Sequence, residues 1–214
     1  MQIAIVLFDR FTALDAVGPY EVLSRLPDAK TVFVAEQAGP RRSDTGYLTM
    51  VADRSFDEVT SPDIVVVPGG PGQTEQMTDN RLLDWLRDTD ATSLWTTSVC
   101  TGALLLGAAG LLRGRRATTH WLALDELARL GARPTSDRVV VDGKYVTAAG
   151  VSSGIDMGLR LLGTIAGDEH ARAIQLMIEY DPQPPYDAGS PAKAPAQLVE
   201  TLRATSRFTQ EARP

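Results

Sequence analysis

The stretch Asp63-Ile-Val-Val-Val-Pro68 sets four apolar residues in a row, three of them valine. A strand with one wet face alternates polar and apolar side chains. An unbroken β-branched run needs apolar cover on both faces, and strands of that kind belong to parallel sheets layered between helices. The run stops at Gly69-Gly70-Pro71-Gly72, a turn that ends the strand. Ile3 to Phe8 and Ser93 to Val99 read as further buried strands, and Thr31 to Ala35 as a second strand beside the first. Tyr47 to Val51 alternates weakly and reads as a hairpin arm. Val139 to Val146 reads as two strands around an Asp142-Gly143 turn, a dipeptide that favours tight hairpins.

Between these strands the apolar residues recur at helical spacing. Val17, Tyr20, Val22, Leu23 and Leu26 predict a helix with Pro19 in its first turn, where a missing N–H costs little. Further helices are expected over Asp79 to Arg87, Gly102 to Leu112, Trp121 to Leu130, Ser153 to Ala166 and Asp168 to Tyr180. Pro182-Gln-Pro-Pro-Tyr186 breaks the last of these, and Ala194 to Arg207 reads as a final surface helix. Strands alternating with helices predict an α/β fold, a layered sandwich with a mainly parallel central sheet and helices on both faces. The Pro-rich stretch from Pro182 to Pro195 lies too near the C-terminus to divide two domains. The expectation is one α/β domain over residues 1–192 with a C-terminal helical extension over residues 193–214.

The formal net charge is −6, so no basic excess exists to neutralise phosphates and a nucleic-acid partner is not expected. The start, MQIAIVLFDRF, has no basic region or small-residue cleavage site and reads as a first strand, not a signal peptide. No apolar stretch reaches the ~18 residues a transmembrane helix needs, so no membrane span is expected. The chain holds one cysteine, Cys100, which cannot form an intrachain disulfide; this fits a reducing, cytoplasmic setting.

Cys100 falls between the strand Ser93 to Val99 and the helix beginning near Gly102. In open α/β sheets, sites form beyond the carboxyl ends of strands. The local pattern Ser98-Val-Cys100-Thr-Gly102 is similar to a nucleophile elbow, a tight strand-to-helix turn flanked by small residues. A helix N-terminus would stabilise a thiolate there and lower its pKa. The alternative is an inert buried cysteine. After the strand ending at Val67, the Gly70 N–H could stabilise developing negative charge, with the Thr101 N–H as its partner; a purely structural turn is the alternative. Asp15 lies between the first strand and the first helix, where it either caps the helix or hands protons to and from a site. Glu21, one turn on, is either solvated or a buried support. His120 opens a helix twenty residues after Cys100 and could pair with the thiol or serve a packing role. His170 reads as solvated. No His, Cys and carboxylate cluster has zinc-ligand spacing, so no metal is expected.

Taken in order, Leu14-Asp15 with Gly18-Pro19, Pro68-Gly69-Gly70, Thr97-Ser-Val-Cys100-Thr-Gly102 and Thr118-Thr-His120-Trp121 resemble the ThiJ/PfpI superfamily, which has a class I glutamine-amidotransferase-like fold. The resemblance runs from Ile3 to about Ala194. Within the superfamily it is strongest to the isocyanide (isonitrile) hydratases, carried further by Leu106-Gly-Ala-Ala-Gly-Leu-Leu112, Gly154-Ile-Asp156, Gln175 to Tyr180, Pro184-Pro185 and Ala188-Gly-Ser-Pro191. It implies a lyase that adds water to a small-molecule isocyanide through a Cys100 thioimidate to give an N-formamide. It implies Cys100 as nucleophile and Asp15 as general acid/base; in such chemistry the Gly70 and Thr101 N–H groups would stabilise charge near the sulfur, and His120 and Glu21 are expected at most in supporting places. It also implies a homodimer with no cofactor. Ala148 and Ala149 stand where the family is richer in glycine, and Tyr20-Glu21 departs from the residues expected after Gly-Pro; both bear on substrate preference.

Two other readings stay open. One is another cysteine-dependent activity of the superfamily, such as glyoxal-type hydration or amide hydrolysis. The other is a standalone ligand or redox sensor, since the Thr-Thr-His-Trp and Pro-Gly-Gly-Pro-Gly segments also resemble the N-terminal domains of AraC-type regulators. After Pro195 too few residues follow for the helix-turn-helix domain of those regulators.

Overall fold

A computed structural model describes residues 1–210. The strands are β1 (Gln2–Val6), β2 (Lys30–Ala35), β3 (Gly39–Arg42), β4 (Thr49–Ala52), β5 (Arg54–Ser55), β6 (Ile64–Val67), β7 (Trp95–Val99), β8 (Arg116–Ala117), β9 (Arg133–Pro134), β10 (Val139–Asp142) and β11 (Tyr145–Ala148). The helices are α1 (Ala13–Leu23), α2 (Gln73–Gln76), α3 (Asn80–Thr92), α4 (Gly102–Ala108), α5 (Leu124–Arg129), α6 (Ser153–Ala166), α7 (Asp168–Met177), α8 (Ala196–Ala204) and α9 (Arg207–Gln210).

Seven strands form the central sheet in the order β10-β11-β7-β6-β1-β2-β5. Every neighbouring pair is parallel except the edge hairpin β10–β11, which closes through the Asp142-Gly143 turn with Asp142 opposite Tyr145. All four residues of β6 are buried, as the unbroken apolar run requires. The chain leaves β1 toward β2 in one direction and leaves β6 toward β7 in the other. Right-handed crossovers therefore place α1 and α3 on opposite faces of the sheet. The point where the two directions diverge lies between β1 and β6, and it is beyond the strand ends at such a point that open α/β sheets place their sites. On one face α1 packs on α6, and α6 on α7; on the other, α4 packs between α3 and α5. The α1–α6 seam is close because a Cβ on Gly158 would come 2.9 Å from Val22 Cβ, and one on Gly154 would come 3.0 Å from Pro19 Cδ.

Several elements differ from the sequence-based expectation. Helix α1 starts a turn earlier than its apolar spacing suggested, so Pro19 lies inside it and not in its first turn. Pro19 has no N–H to give the Asp15 carbonyl one turn back, a loss tolerated because the α6 contact holds the helix. Helix α4 ends at Ala108, short of Leu112, and α7 ends at Met177, short of Tyr180. The stretch beginning at Trp121 opens with a 3₁₀ turn, Trp121–Ala123, before α5. Strands β5, β8 and β9 are two residues long and too short to carry a periodic signal. Helix α8 buries none of its residues, as expected of a surface helix. Among the described residues, no helix is long and apolar enough to cross a membrane.

Candidate active site

Three strand ends converge on Cys100. From β7, the chain turns into α4 through Cys100, whose φ of 56° lies in the left-handed region that non-glycine residues rarely occupy. Hydrogen bonds on every side hold that conformation. The Cys100 N–H donates to the carbonyls of Ala148 (3.1 Å) and Ala149 (2.9 Å), just past β11. The Thr119 hydroxyl donates to the Cys100 carbonyl at 2.8 Å. From the β6 end, the Gly70 N–H donates to Thr101 Oγ1 at 3.0 Å. Two glycines make this convergence possible. A Cβ at Gly102 would run into the Val67 carbonyl, and one at Gly69 would come 2.5 Å from the Thr101 nitrogen. Close approach at Gly102 is the role its place in the sequence suggested.

The third element is Asp15, from the first turn of α1. It does not cap the helix: Thr12 occupies the N-cap position, and its hydroxyl donates to Asp44 Oδ2 at 2.7 Å instead. Asp15 is wholly buried, with Oδ2 accepting the Gly69 N–H at 2.9 Å. Its other oxygen is buried without a well-formed hydrogen bond, which leaves a lone pair for a mobile proton. Burial pushes the Asp15 carboxyl from its ordinary value of 3.8 up to about 7. The Gly69 N–H and the Cys100 thiol pull it back part of the way, and the charge of Asp44 adds a further push upward.

The thiol behaves differently from the sequence-based expectation of a lowered pKa. Cys100 is only 5% exposed, and burial pushes its titration well above the ordinary range. The adjacent Asp15 charge pushes it further up, while the N–H groups of Thr101 and Val151, aimed at the sulfur, pull it partly down. The correction is physical. A short helix N-terminus cannot offset loss of water around a thiolate that also faces a carboxylate. Carboxyl and thiol thus form one coupled pair, and protons leave the pair rather than either residue alone.

The remaining predicted site residues fall in different places. Thr101 sits where the spacing implied, with its N–H directed at the sulfur and its hydroxyl holding the Gly70 turn. The Gly70 N–H is committed to that hydroxyl and does not face the sulfur; the second donor is the Val151 N–H. Sequence reasoning missed Val151, because backbone donors carry no side-chain signature. Glu21 does not support the site: its side chain is 47% exposed and pairs with Arg25 at 2.9 Å, one turn along α1. His120 Nδ1 accepts the Leu122 N–H at 3.3 Å, so the imidazole caps the 3₁₀ turn. Burial, and then the charge of Arg207, hold the His120 pKa below its ordinary value. Among the described residues, the groups acting on the thiol do not include His120. His170 is partly buried, with Nε2 3.3 Å from the Arg25 carbonyl, not fully solvated. Among the described residues, no group of three His, Cys, Asp or Glu side chains is placed to hold a metal.

A parallel α/β sheet, a cysteine on a strained strand-to-helix elbow and a buried acid from the first helix define a class of protein with one coupled thiol–carboxyl centre. The chain belongs to the DJ-1/PfpI family, whose model matches residues 1–164. It is 44% identical over 203 residues to an isonitrile hydratase of Pseudomonas putida, covering 95% of this chain and 89% of that one. A crystal structure of a ThiJ/PfpI family protein from Pseudomonas syringae superposes with a TM-score of 0.94 at 39% identity, covering 99% of this chain and 88% of the other. An HTH-type transcriptional regulator of Pseudomonas aeruginosa, CdhR, is 29% identical over 140 residues, which cover 64% of this chain but 41% of the regulator.

Proposed function

We propose that the protein is an isocyanide hydratase, a lyase that converts an isocyanide and water into an N-formamide. The observation that carries the reading is the buried Asp15–Cys100 pair, with a carboxyl held near neutral pKa beside the thiol and, among the described residues, the one carboxylate acting on it. The isonitrile hydratase homologue, matched along nearly the whole chain, supports the same chemistry.

An isocyanide carbon accepts a nucleophile and a proton at the same atom. Asp15 takes the Cys100 proton as sulfur bonds to that carbon, then delivers it there, giving an N-substituted thioimidate on Cys100. Asp15 next takes a proton from water as the oxygen adds to the carbon. Asp15 passes that proton to the nitrogen; as the C–S bond then breaks, the hydroxyl proton returns through Asp15 to sulfur, and the N-formamide leaves. A pKa of about 7 suits a group that is acid in one step and base in the next. The Thr101 and Val151 N–H groups stabilise sulfur's charge when it attacks and when it leaves. Gly70 acts at one remove, by fixing Thr101. His120, the ring that would pair with the thiol in a Cys–His hydrolase, instead caps its own 3₁₀ turn. The reading includes a cytoplasmic homodimer acting on a small molecule without a cofactor; light scattering of the purified protein reports the assembly.

Incubating the purified protein with a simple aryl isocyanide tests the reading. Formamide should form with the wild type and not with Cys100→Ala. Formamide from both would remove the nucleophile assignment. No formamide from either, with Cys100 still alkylated rapidly, would discard the hydratase and leave the reactive thiol.

A further inference from the structure

The C-terminal segment lies outside the 164 residues matched by the family model, yet it returns to the strand ends that build the site. Arg207 opens α9. Its guanidinium donates to the carbonyls of Pro71 (2.7 Å) and Gly70 (3.2 Å), to Gln73 Oε1 (3.0 Å) and to Thr74 Oγ1 (3.4 Å). It thus grips the outer side of the Pro-Gly-Gly-Pro-Gly turn. The inner side of that turn makes the contacts on which the site depends: Gly69 N–H to Asp15 and Gly70 N–H to Thr101. The loop after β1 holds the third side, with Thr12 N–H on the Gly69 carbonyl at 2.8 Å and Gly72 N–H on the Arg10 carbonyl at 3.2 Å. Arg207 also stacks 4.6 Å from the Phe208 ring, and Phe208 packs against the core, so the guanidinium is anchored from behind.

We propose that Arg207 is a positioning residue of the site, clamping the glycine turn so that the Gly69 N–H stays on the Asp15 carboxylate. The inference rests on the reading that Asp15 carries the proton, but not on isocyanide as the substrate. A planar guanidinium suits the task because one fork reaches several acceptors at fixed angles, which an ammonium cannot do. Releasing the clamp lets the turn move outward. The carboxylate then loses part of an N–H bond that favours its charged form, and the pair gives up its first proton at higher pH. Among the described residues, the other groups bearing on this titration include the Cys100 thiol and Asp44 at Asp15, and His120 beside Arg207.

The test is the pH dependence of Cys100 alkylation by iodoacetamide in the full chain, which needs no knowledge of the substrate. In the wild type the rate should rise through a midpoint near neutrality because Asp15 ionises there and becomes a base for the protonated thiol, well below the pH at which the thiol itself ionises. Arg207→Ala should move that midpoint upward by about half a pH unit or more, with the melting temperature nearly unchanged. Arg207→Lys keeps the charge and loses the fork, so it should show part of the same shift. A midpoint that moves in neither variant overturns the proposal, even if both react more slowly at every pH. A shift in Arg207→Ala that vanishes in Arg207→Lys also overturns it, since charge alone would then be the cause. A parallel formamide assay separates the two ideas: an inactive wild type with a shifted alkylation midpoint loses the hydratase and keeps the clamp.

Discussion

Two turns in this molecule share nearly the same backbone angle and have opposite origins. Gly143, in the β10–β11 hairpin, has a φ of 63°, and Cys100, at the elbow, has a φ of 56°. At the hairpin, glycine accepts the left-handed conformation at no steric cost, and a Cβ there would meet only an Arg115 nitrogen at 4.0 Å. At the elbow, a side chain with a Cβ is held in that conformation by the Cys100 N–H donating to the Ala148 and Ala149 carbonyls and by the Thr119 hydroxyl donating to the Cys100 carbonyl. The hairpin turn is written in two adjacent residues. The elbow is imposed by three strand ends, and the strain it stores puts the thiol against a buried acid.

The largest expected effect lies at that acid. Asp15→Asn keeps the shape but cannot shuttle a proton, and turnover should fall by about 10²–10⁴-fold in steady-state kinetics. The same change should stabilise the fold. With its native pKa raised to about 7, Asp15 binds more protons folded than unfolded between about pH 4 and pH 7, so the wild type loses stability as pH rises through that window. The gain in Asp15→Asn should reach up to about 4 kcal/mol at pH 8 and fade toward pH 4, as read by denaturant titration. A gain that is constant across pH would mean that the buried carboxyl titrates normally.

Next come the glycines on the two sides of the comparison. Gly102→Ala drives a methyl group into the Val67 carbonyl and should cost about 2–4 kcal/mol, displacing the elbow as it does so. Gly143→Ala meets open space and should cost only the left-handed penalty of about 1 kcal/mol. Equal costs in thermal unfolding would erase the distinction between a packed turn and a free one.

The smallest effect sharpens the comparison most directly. Cys100→Gly should be about 1 kcal/mol more stable than Cys100→Ala, because only the glycine variant relieves the elbow's backbone strain. An alanine variant as stable as the glycine one would show that the elbow is not strained at all.

Particular residues show how far the chain could be read in advance. The β6 run, the glycine turn after it, the β10–β11 hairpin and the span of α6 follow from apolar periodicity and turn chemistry, which act over a few neighbouring residues. Cys100, Asp15 and the 68–72 turn stood out because each follows a strand. Asp15 also looked like a cap, and only burial against Gly69 shows otherwise. Glu21 looked like a support until its pairing with Arg25 placed it toward solvent. Val151 and Arg207 gave no sign: one acts through a backbone N–H, and the other reaches a turn more than 130 residues away in the chain.

The sequence by itself determined a parallel α/β layer with one thiol at a strand end, because strand and helix periods and glycine turns are local properties. Only the tertiary structure decided that the thiol is disfavoured as a thiolate, that a buried carboxyl near neutrality is its partner, and that the C-terminal segment grips the site. Proton affinity depends on lost water and on charges brought together from distant parts of the chain, and neither exists until the strands are assembled.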